Sequence, residues 1–374
     1  MKIRISSAAF SEELFKLQGV VSHRSTLAIL SNALLEAKDG VLTLHATDLD
    51  ISVSTSCPCE VLQPGKVTLQ ARGLYDIVKN LESDTLELEV EENHWAKLKS
   101  GSVNCRVAGT HAEEFPHILD TSSVQLFPIG TERLLDMIEK TIFSISTDDS
   151  RANLTGAFFR VTEDNTLLMV STDGHRLSKI EVAPDEFDTS SSFPEALTRG
   201  IIIPRKGLSE LKRAVDSEGA ELSFGLIDNN IVFISGPMSL SVRLIDGTFP
   251  DFTQVLPKES EHRATVEKEL FSQSLKFVSL FASSKTHNVR LSLSSDGLEL
   301  YASDPDRGEA TKVVPVEYAG APVKAGFNFR YLKDVLGVIE GDAVSVEIID
   351  TLSPTLIRDP DREELLFVVM PMRL

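Results

Sequence analysis

One stretch occurs three times in this chain at domain-sized intervals, and that spacing restricts the fold more than any other feature. The middle copy reads Thr172-Asp173-Gly174-His175-Arg176-Leu177. The first copy reads Leu42-Thr43-Leu44-His45-Ala46-Thr47-Asp48-Leu49-Asp50, and the third Leu298-Glu299-Leu300-Tyr301-Ala302-Ser303-Asp304-Pro305-Asp306. Each is an alternating strand closed by a small residue, a hydroxyl residue and an aspartate. Asp48, Asp173 and Asp304 lie 125 and 131 residues apart, far beyond the period of a solenoid repeat. A chain of 374 residues is also too long for one ordinary core. The reading is a triplicated domain.

Apolar periodicity supports it. Phe10, Leu14, Leu17 and Val21 fall at i, i+4, i+7 and i+11; Leu134, Ile138, Thr141 and Ile145 keep that spacing, as do Phe271, Leu275, Val278 and Ala282. This predicts one amphipathic helix per repeat, running through each set. A second helix recurs at Leu74, Ile77 and Leu81, at Leu208, Leu211 and Val215, and at Leu332, Val335 and Ile339. Each is followed by an alternating strand: Leu86, Leu88, Val90; Leu222, Phe224, Leu226; Val344, Val346, Ile348. Asp296-Gly297 and Asp228-Asn229-Asn230 read as hairpin turns. The fold class is therefore α+β. Three repeated domains, spanning 1–122, 123–257 and 258–374, each pack two helices on one side of a curved antiparallel sheet of about eight short strands. Thr189 to Ser192 reads as a mobile loop.

Composition narrows the setting. Hydrophobic residues at 42% and charged residues at 25% are those of a soluble globular protein. No apolar run reaches membrane length, no signal peptide is expected behind Met1-Lys2-Ile3-Arg4, and three cysteines suit a reducing cytoplasm better than a disulfide framework. A net charge of −19 argues against a conventional nucleic-acid patch. Basic residues nonetheless recur at matching places: Arg24, Arg151 and Lys285 after the first helices, and Arg72, Arg205-Lys206 and Arg330 at the starts of the second. They read either as ordinary solvated side chains or as a local phosphate-facing surface.

Catalytic readings are weak. Asp173, His175 and Ser171 could form a hydrolase constellation if all three converged; the alternative is an aspartate tying a turn. Cys57-Pro58-Cys59 lacks the spacing and partners of a metal site, and neither G-x-G-x-x-G nor a P-loop occurs. The apolar end, Phe367-Val368-Val369-Met370-Pro371-Met372-Arg373-Leu374, reads as a closing strand or as part of a peptide-binding surface.

Four segments carry a resemblance: Thr172 to Leu177, Ile203-Pro204-Arg205-Lys206-Gly207, Asp246-Gly247-Thr248-Phe249-Pro250-Asp251, and Val368 to Leu374. With the triplication, they closely resemble the bacterial sliding clamp family, the beta subunit of DNA polymerase III, over the whole chain. The resemblance implies the DNA clamp fold: a head-to-tail homodimer closed into a six-domain ring, helices lining the hole and sheets outside. Duplex DNA would pass through without sequence-specific contact. Such a protein is a non-catalytic processivity factor without cofactor or metal, acting in the cytoplasm and tethering the replicative polymerase. Short linear peptides of the polymerase, the clamp loader and repair proteins would dock in one pocket. Carried over by position, the pocket comprises Leu154, Thr172, Gly174, His175, Arg176, Leu177, Pro250, Val255, Val369, Met370, Pro371, Met372 and Leu374. Gln254, Thr286 and Pro354 stand where well-studied members have an arginine, a phenylalanine and a serine. The DNA-facing residues would be Arg24, Arg72, Arg151, Arg205 and Lys206. The dimer contacts would be Cys105 and Val107 on the first domain and Leu280 and Phe281 on the third.

Overall fold

The three apolar stripes are buried throughout: every one of the twelve first-helix positions is at most 4% exposed. The helices that carry them are shorter than the spacing predicts. In this computed structural model, which describes residues 1–21, 27–183, 193–215, 221–256 and 263–373, the helices are α1 (Ser7–Leu17), α2 (Ala71–Val78), α3 (Thr131–Thr141), α4 (Glu195–Arg199), α5 (Arg205–Ala214), α6 (Lys268–Val278) and α7 (Phe329–Val338). Val21, Ile145 and Ala282 lie beyond the ends of α1, α3 and α6, and are buried by the turn that follows each helix. The short α4 has too few residues to show a period and was not expected. Thr189 to Ser192 and the expected boundary at 257/258 lie outside the described residues.

Among the described residues the three repeats contribute ten, eight and eight strands, all paired antiparallel where they meet. The expectation of one sheet per domain is corrected. The chain falls into two compact units, one holding Met1–Leu135 and Lys206–Leu244, the other Asp136–Pro184, Phe193–Arg205 and Ile245–Leu374. In the first unit, a nine-stranded sheet runs from repeat one into repeat two where strand Ile51–Pro58 pairs with Met238–Arg243. A five-stranded sheet of repeat one ends at strand Val103–Val107. In the second unit, an eight-stranded sheet joins repeats two and three through Arg176–Val182 and Leu365–Val369. A four-stranded sheet of repeat three ends at Gly308–Val314. Helices α1 and α6 each touch strands of both sheets in their unit. A two-layer stack of one sheet would leave half of each apolar stripe wet; two sheets cover it.

Asp296 sits in the two-residue turn between Ser294 and Gly297, and Asp228-Asn229 in that between Ile227 and Asn230. Both are tight hairpins, as read.

His45, on strand Val41–Thr47, has its Nδ1 buried without a hydrogen-bond partner, and burial pushes its imidazole down to about 4. The unfolded chain, titrating near 6.5, takes up this proton first. Stability is therefore full above that pH and falls as pH drops toward 4, by about 3 kcal/mol at most from this group. Urea unfolding at neutral and acid pH should show that loss, and His45→Gln should flatten the profile in this window.

Candidate functional site

The thrice-repeated stretch is a hairpin corner in each repeat, tied by its aspartate in all three and built alike in the first two. The Oδ1 of Asp173 accepts the amides of His175 (2.9 Å) and Arg176 (3.1 Å). That of Asp48 accepts Asp50 (3.1 Å) and Ile51 (2.7 Å), and that of Asp304 accepts Asp306 (3.0 Å). Thr172 Oγ1 accepts the Gly174 amide (3.0 Å) and donates to the Arg176 carbonyl (2.6 Å); Thr47 does the same with Leu49 and Ile51, at 3.0 Å each. The aspartate is a turn-tying residue. The hydrolase constellation is not assembled. Ser171 is fully buried and donates to the Thr141 carbonyl (2.5 Å), while His175 is exposed with its ring 6.4 Å from that of Tyr331.

In the middle copy this corner forms one wall of a cleft within the second unit. Arg176 leaves the turn and spreads over three acceptors: Asp173 Oδ2 (3.0 Å), Asp334 Oδ2 on α7 (2.5 Å) and the Phe143 carbonyl (2.5 Å). Its guanidinium also lies over the rings of Tyr331 (4.6 Å) and Phe143 (5.4 Å). A planar fork with all three of its nitrogens bonded is fixed in place. Opposite it, Asp251 Oδ1 caps the turn Phe252–Val255 by accepting the Thr253 amide (3.1 Å). The Thr253 hydroxyl and the Gln254 amide also bond this carboxylate and hold it below the usual range.

The resulting cleft has a volume of about 150 Å³. Its floor is the core of Leu154, Leu177, Val368 and Phe252, and its rim carries Thr172, Arg176 and Asp251. It is apolar with a few convergent polar groups, the character of a site for short peptides or small ligands.

Of the residues assigned to the pocket, Leu154, Thr172, Gly174, Arg176, Leu177, Pro250, Val255 and Met370 line this cleft. Val369 does not. Strand pairing sets Val368 opposite Leu177, so Val368 takes the cleft side and Val369 is fully buried away from it. His175 contributes its carbonyl, which accepts the Met370 amide (2.8 Å) and ties the tail to the corner. Pro371 and Met372 continue past the cleft, where the Met372 amide bonds the Gly326 carbonyl (2.7 Å). Leu374 lies outside the described residues. Of the two readings of the tail, the closing strand is present, since residues 365–369 form an interior strand, and Met370 beyond it lines the cleft. Sequence reading missed Asp251, Phe252 and Val368. Period-2 alternation counted from Leu177 across the pair was the signal for Val368; Phe252 had none. Gln254 is spent on Asp251 (3.0 Å), and neither Thr286 nor Pro354 lines the cleft.

The cationic residues are scattered in state. Arg24 lies outside the described residues. Arg72 and Arg205 are exposed in the first turns of α2 and α5. Arg151 pairs with Asp148 (3.2 Å), and Lys206 with Asp48. Cys105 and Val107 lie half-buried on the edge strand Val103–Val107. In the other unit Leu280 is 62% exposed and Phe281 packs its ring 6.0 Å from Phe277. Cys57 is buried, with its thiol pushed up to about 12 by burial, and among the described residues no cluster of His, Cys, Asp or Glu could hold a metal.

Comparison with known proteins gives one answer over the whole length. Residues 1–119, 128–251 and 253–373 match the N-terminal, central and C-terminal domains of the DNA polymerase III beta subunit. The Beta sliding clamp of Caulobacter vibrioides is 31% identical over 380 residues, covering all of both chains. The crystal structure of the Pseudomonas aeruginosa DNA polymerase III subunit beta is 32% identical and superposes with a TM-score of 0.93 over all of both chains. A Caulobacter crescentus beta sliding clamp, 31% identical with a TM-score of 0.93, covers 100% of this chain and 99% of its own; it was solved with polyethylene glycol in the region assigned to beta-motif tethering.

Proposed function

We propose, from the premise that this chain belongs to the DNA polymerase III beta subunit family of sliding clamps, that two copies close head to tail around duplex DNA. The chain is a DNA sliding clamp and performs no chemistry of its own.

One observation carries the ring. Strand Ile51–Pro58 follows the first Asp corner and pairs with Met238–Arg243, the last strand of repeat two; Arg176–Val182 follows the second corner and pairs with Leu365–Val369, the last long strand of repeat three. Gly308–Val314 follows the third corner, and Val103–Val107 is the last long strand of repeat one; both are sheet edges. Pairing these two edges would make the third instance of a pairing made twice already. Pairing them between copies adds a five-stranded to a four-stranded sheet and gives nine, the size of the sheet joining repeats one and two. Unlike edges that meet and close make a heterologous ring.

Enclosure removes the need for tight contact with DNA. With a net charge of −19 per chain, the protein repels a polyanion overall, and Arg72, Arg151, Arg205 and Lys206 supply local, exchangeable phosphate contacts that permit sliding. Arg24 belongs to the same set by family position. The cleft beside Arg176 takes the apolar side chains of short linear peptides from the replicative polymerase, the clamp loader and repair proteins. A Caulobacter crescentus relative binds polyethylene glycol in a region assigned to beta-motif tethering, which supports a tethering site of this kind in the family.

The test is retention. Protein loaded on nicked circular DNA by its loader and ATP should stay through a gel-filtration step, and should run off once the circle is cut. Equal retention before and after cutting would show binding by surface contact instead of enclosure.

A further inference from the structure

The two internal seams share a device beyond the strand pairing, and it identifies side chains for the third. In the first unit, Arg213 of α5 donates to two carbonyls in the last turn of α1, those of Phe15 (2.5 Å) and Lys16 (2.8 Å). It is held by Glu210 one turn earlier (2.9 and 2.6 Å). The Glu210 carboxylate fills the space beside Gly19, where an added Cβ would lie 2.0 Å from it. In the second unit, the position of Glu210 is taken by Asp334 on α7, and that of Gly19 by Phe143. Here Arg176 joins them, donating to Asp334 (2.5 Å) and to the Phe143 carbonyl (2.5 Å). Each seam therefore sets an acid on the second helix of one repeat against the chain leaving the first helix of the repeat before it. A guanidinium bonds both. The acid is long in the seam where the corresponding residue is glycine, Gly19, and short in the seam where it is Phe143.

Helix α2 carries the same pair. Asp76 and Lys79 stand at the positions of Glu210 and Arg213, counted from Leu74 and Leu208, and are bonded at 2.6 Å. Helices α1 and α6 are both eleven residues long. The carbonyls of Phe15 and Lys16 thus correspond to those of Lys276 and Phe277, and Gly19 corresponds to Leu280. Lys79, Asp76, Phe277 and Leu280 are all strongly exposed.

Resting on the ring reading above, we propose that the closing seam repeats this device between copies. Lys79 of one copy donates to the Lys276 and Phe277 carbonyls at the end of α6 in the other, and Asp76 packs over Leu280. The short acid facing a bulky residue follows the Asp334 and Phe143 pattern.

The dimer dissociation constant, measured by analytical ultracentrifugation and by dilution of labelled protein, tests it. Lys79→Ala should raise that constant about tenfold, as the loss of charge-assisted hydrogen bonds would. Asp76→Glu should weaken the wild-type dimer, yet tighten the dimer of a Leu280→Gly variant, because glycine leaves room for the longer acid as at Gly19. This change of sign is a coupling that independent effects would not give. No effect of Lys79→Ala, or the same effect of Asp76→Glu in both backgrounds, overturns the proposal while the ring stands. A wild-type protein that stays monomeric at every concentration overturns the ring and this seam together.

Discussion

Removal of residues 370–374 is expected to weaken binding of a fluorescently labelled short peptide from the cognate polymerase about 100-fold or more, which is about 2.7 kcal/mol. The tail enters the cleft through Met370, whose amide is fixed on the His175 carbonyl. Its loss opens one apolar wall of a site of only about 150 Å³. In a site that small each wall residue acts as an anchor and cannot be spared. The strand Leu365–Val369 stays in the middle of its sheet, so the shortened chain should fold and unfold like the parent. Fluorescence anisotropy against the full chain measures the difference; unchanged affinity would remove the cleft from the partner-binding account.

The second large effect is expected at Arg176. Arg176→Ala strips a bond from Asp334, one from Asp173 and one from the Phe143 carbonyl, and removes the cation from two aromatic faces. Removing one partner of a buried pair is costly because the other charge is left behind. Here Asp334 is 41% exposed and recovers water, so the loss is expected near 2 kcal/mol. Arg176→Lys should recover little, since an ammonium cannot reach three acceptors in one plane. Asp173 keeps its two turn amides, so the hairpin corner should survive while the packing of α7 against it loosens. Urea unfolding monitored separately by peptide binding and by far-UV circular dichroism should show the cleft lost at lower denaturant than the bulk helix signal.

What could be read in the sequence is what local periodicity encodes. The first-helix stripes, the alternating strands after the second helices and the two tight hairpins depend on residues within a turn or two of one another. The triplication let each be read three times. The sheets were not legible in the same way. That Ile51–Pro58 pairs with Met238–Arg243 is a contact between residues nearly two hundred positions apart, and no local signal records it. The cleft shows the same division. Thr172, Gly174, Arg176 and Leu177 were reached through the resemblance, which the contiguous motif at the corner carries. Phe252 comes from a short turn with no period, and Val369 lies off the cleft because a strand's face is fixed by its partner's register.

The corner also differs between copies in a way composition does not reveal. Gly174 takes φ 87°, a region open to glycine, whereas Leu49 takes φ 82° in the first copy, with its side chain 56% exposed. A leucine there is strained, and in the middle copy the glycine also leaves room for Arg151.

The sharing of sheets between successive repeats bears on how assembly is made efficient. A single repeat with its two unlike edges would have to find several copies of itself, each encounter at the mercy of dilution. Joined in one chain, the first two pairings become intramolecular, at an effective concentration set by the linkers rather than by the cell. If two copies close as proposed, only the last pairing is left to bimolecular association, so it alone would respond to protein concentration and offer a place where a ring can be opened without unfolding a sheet inside the chain.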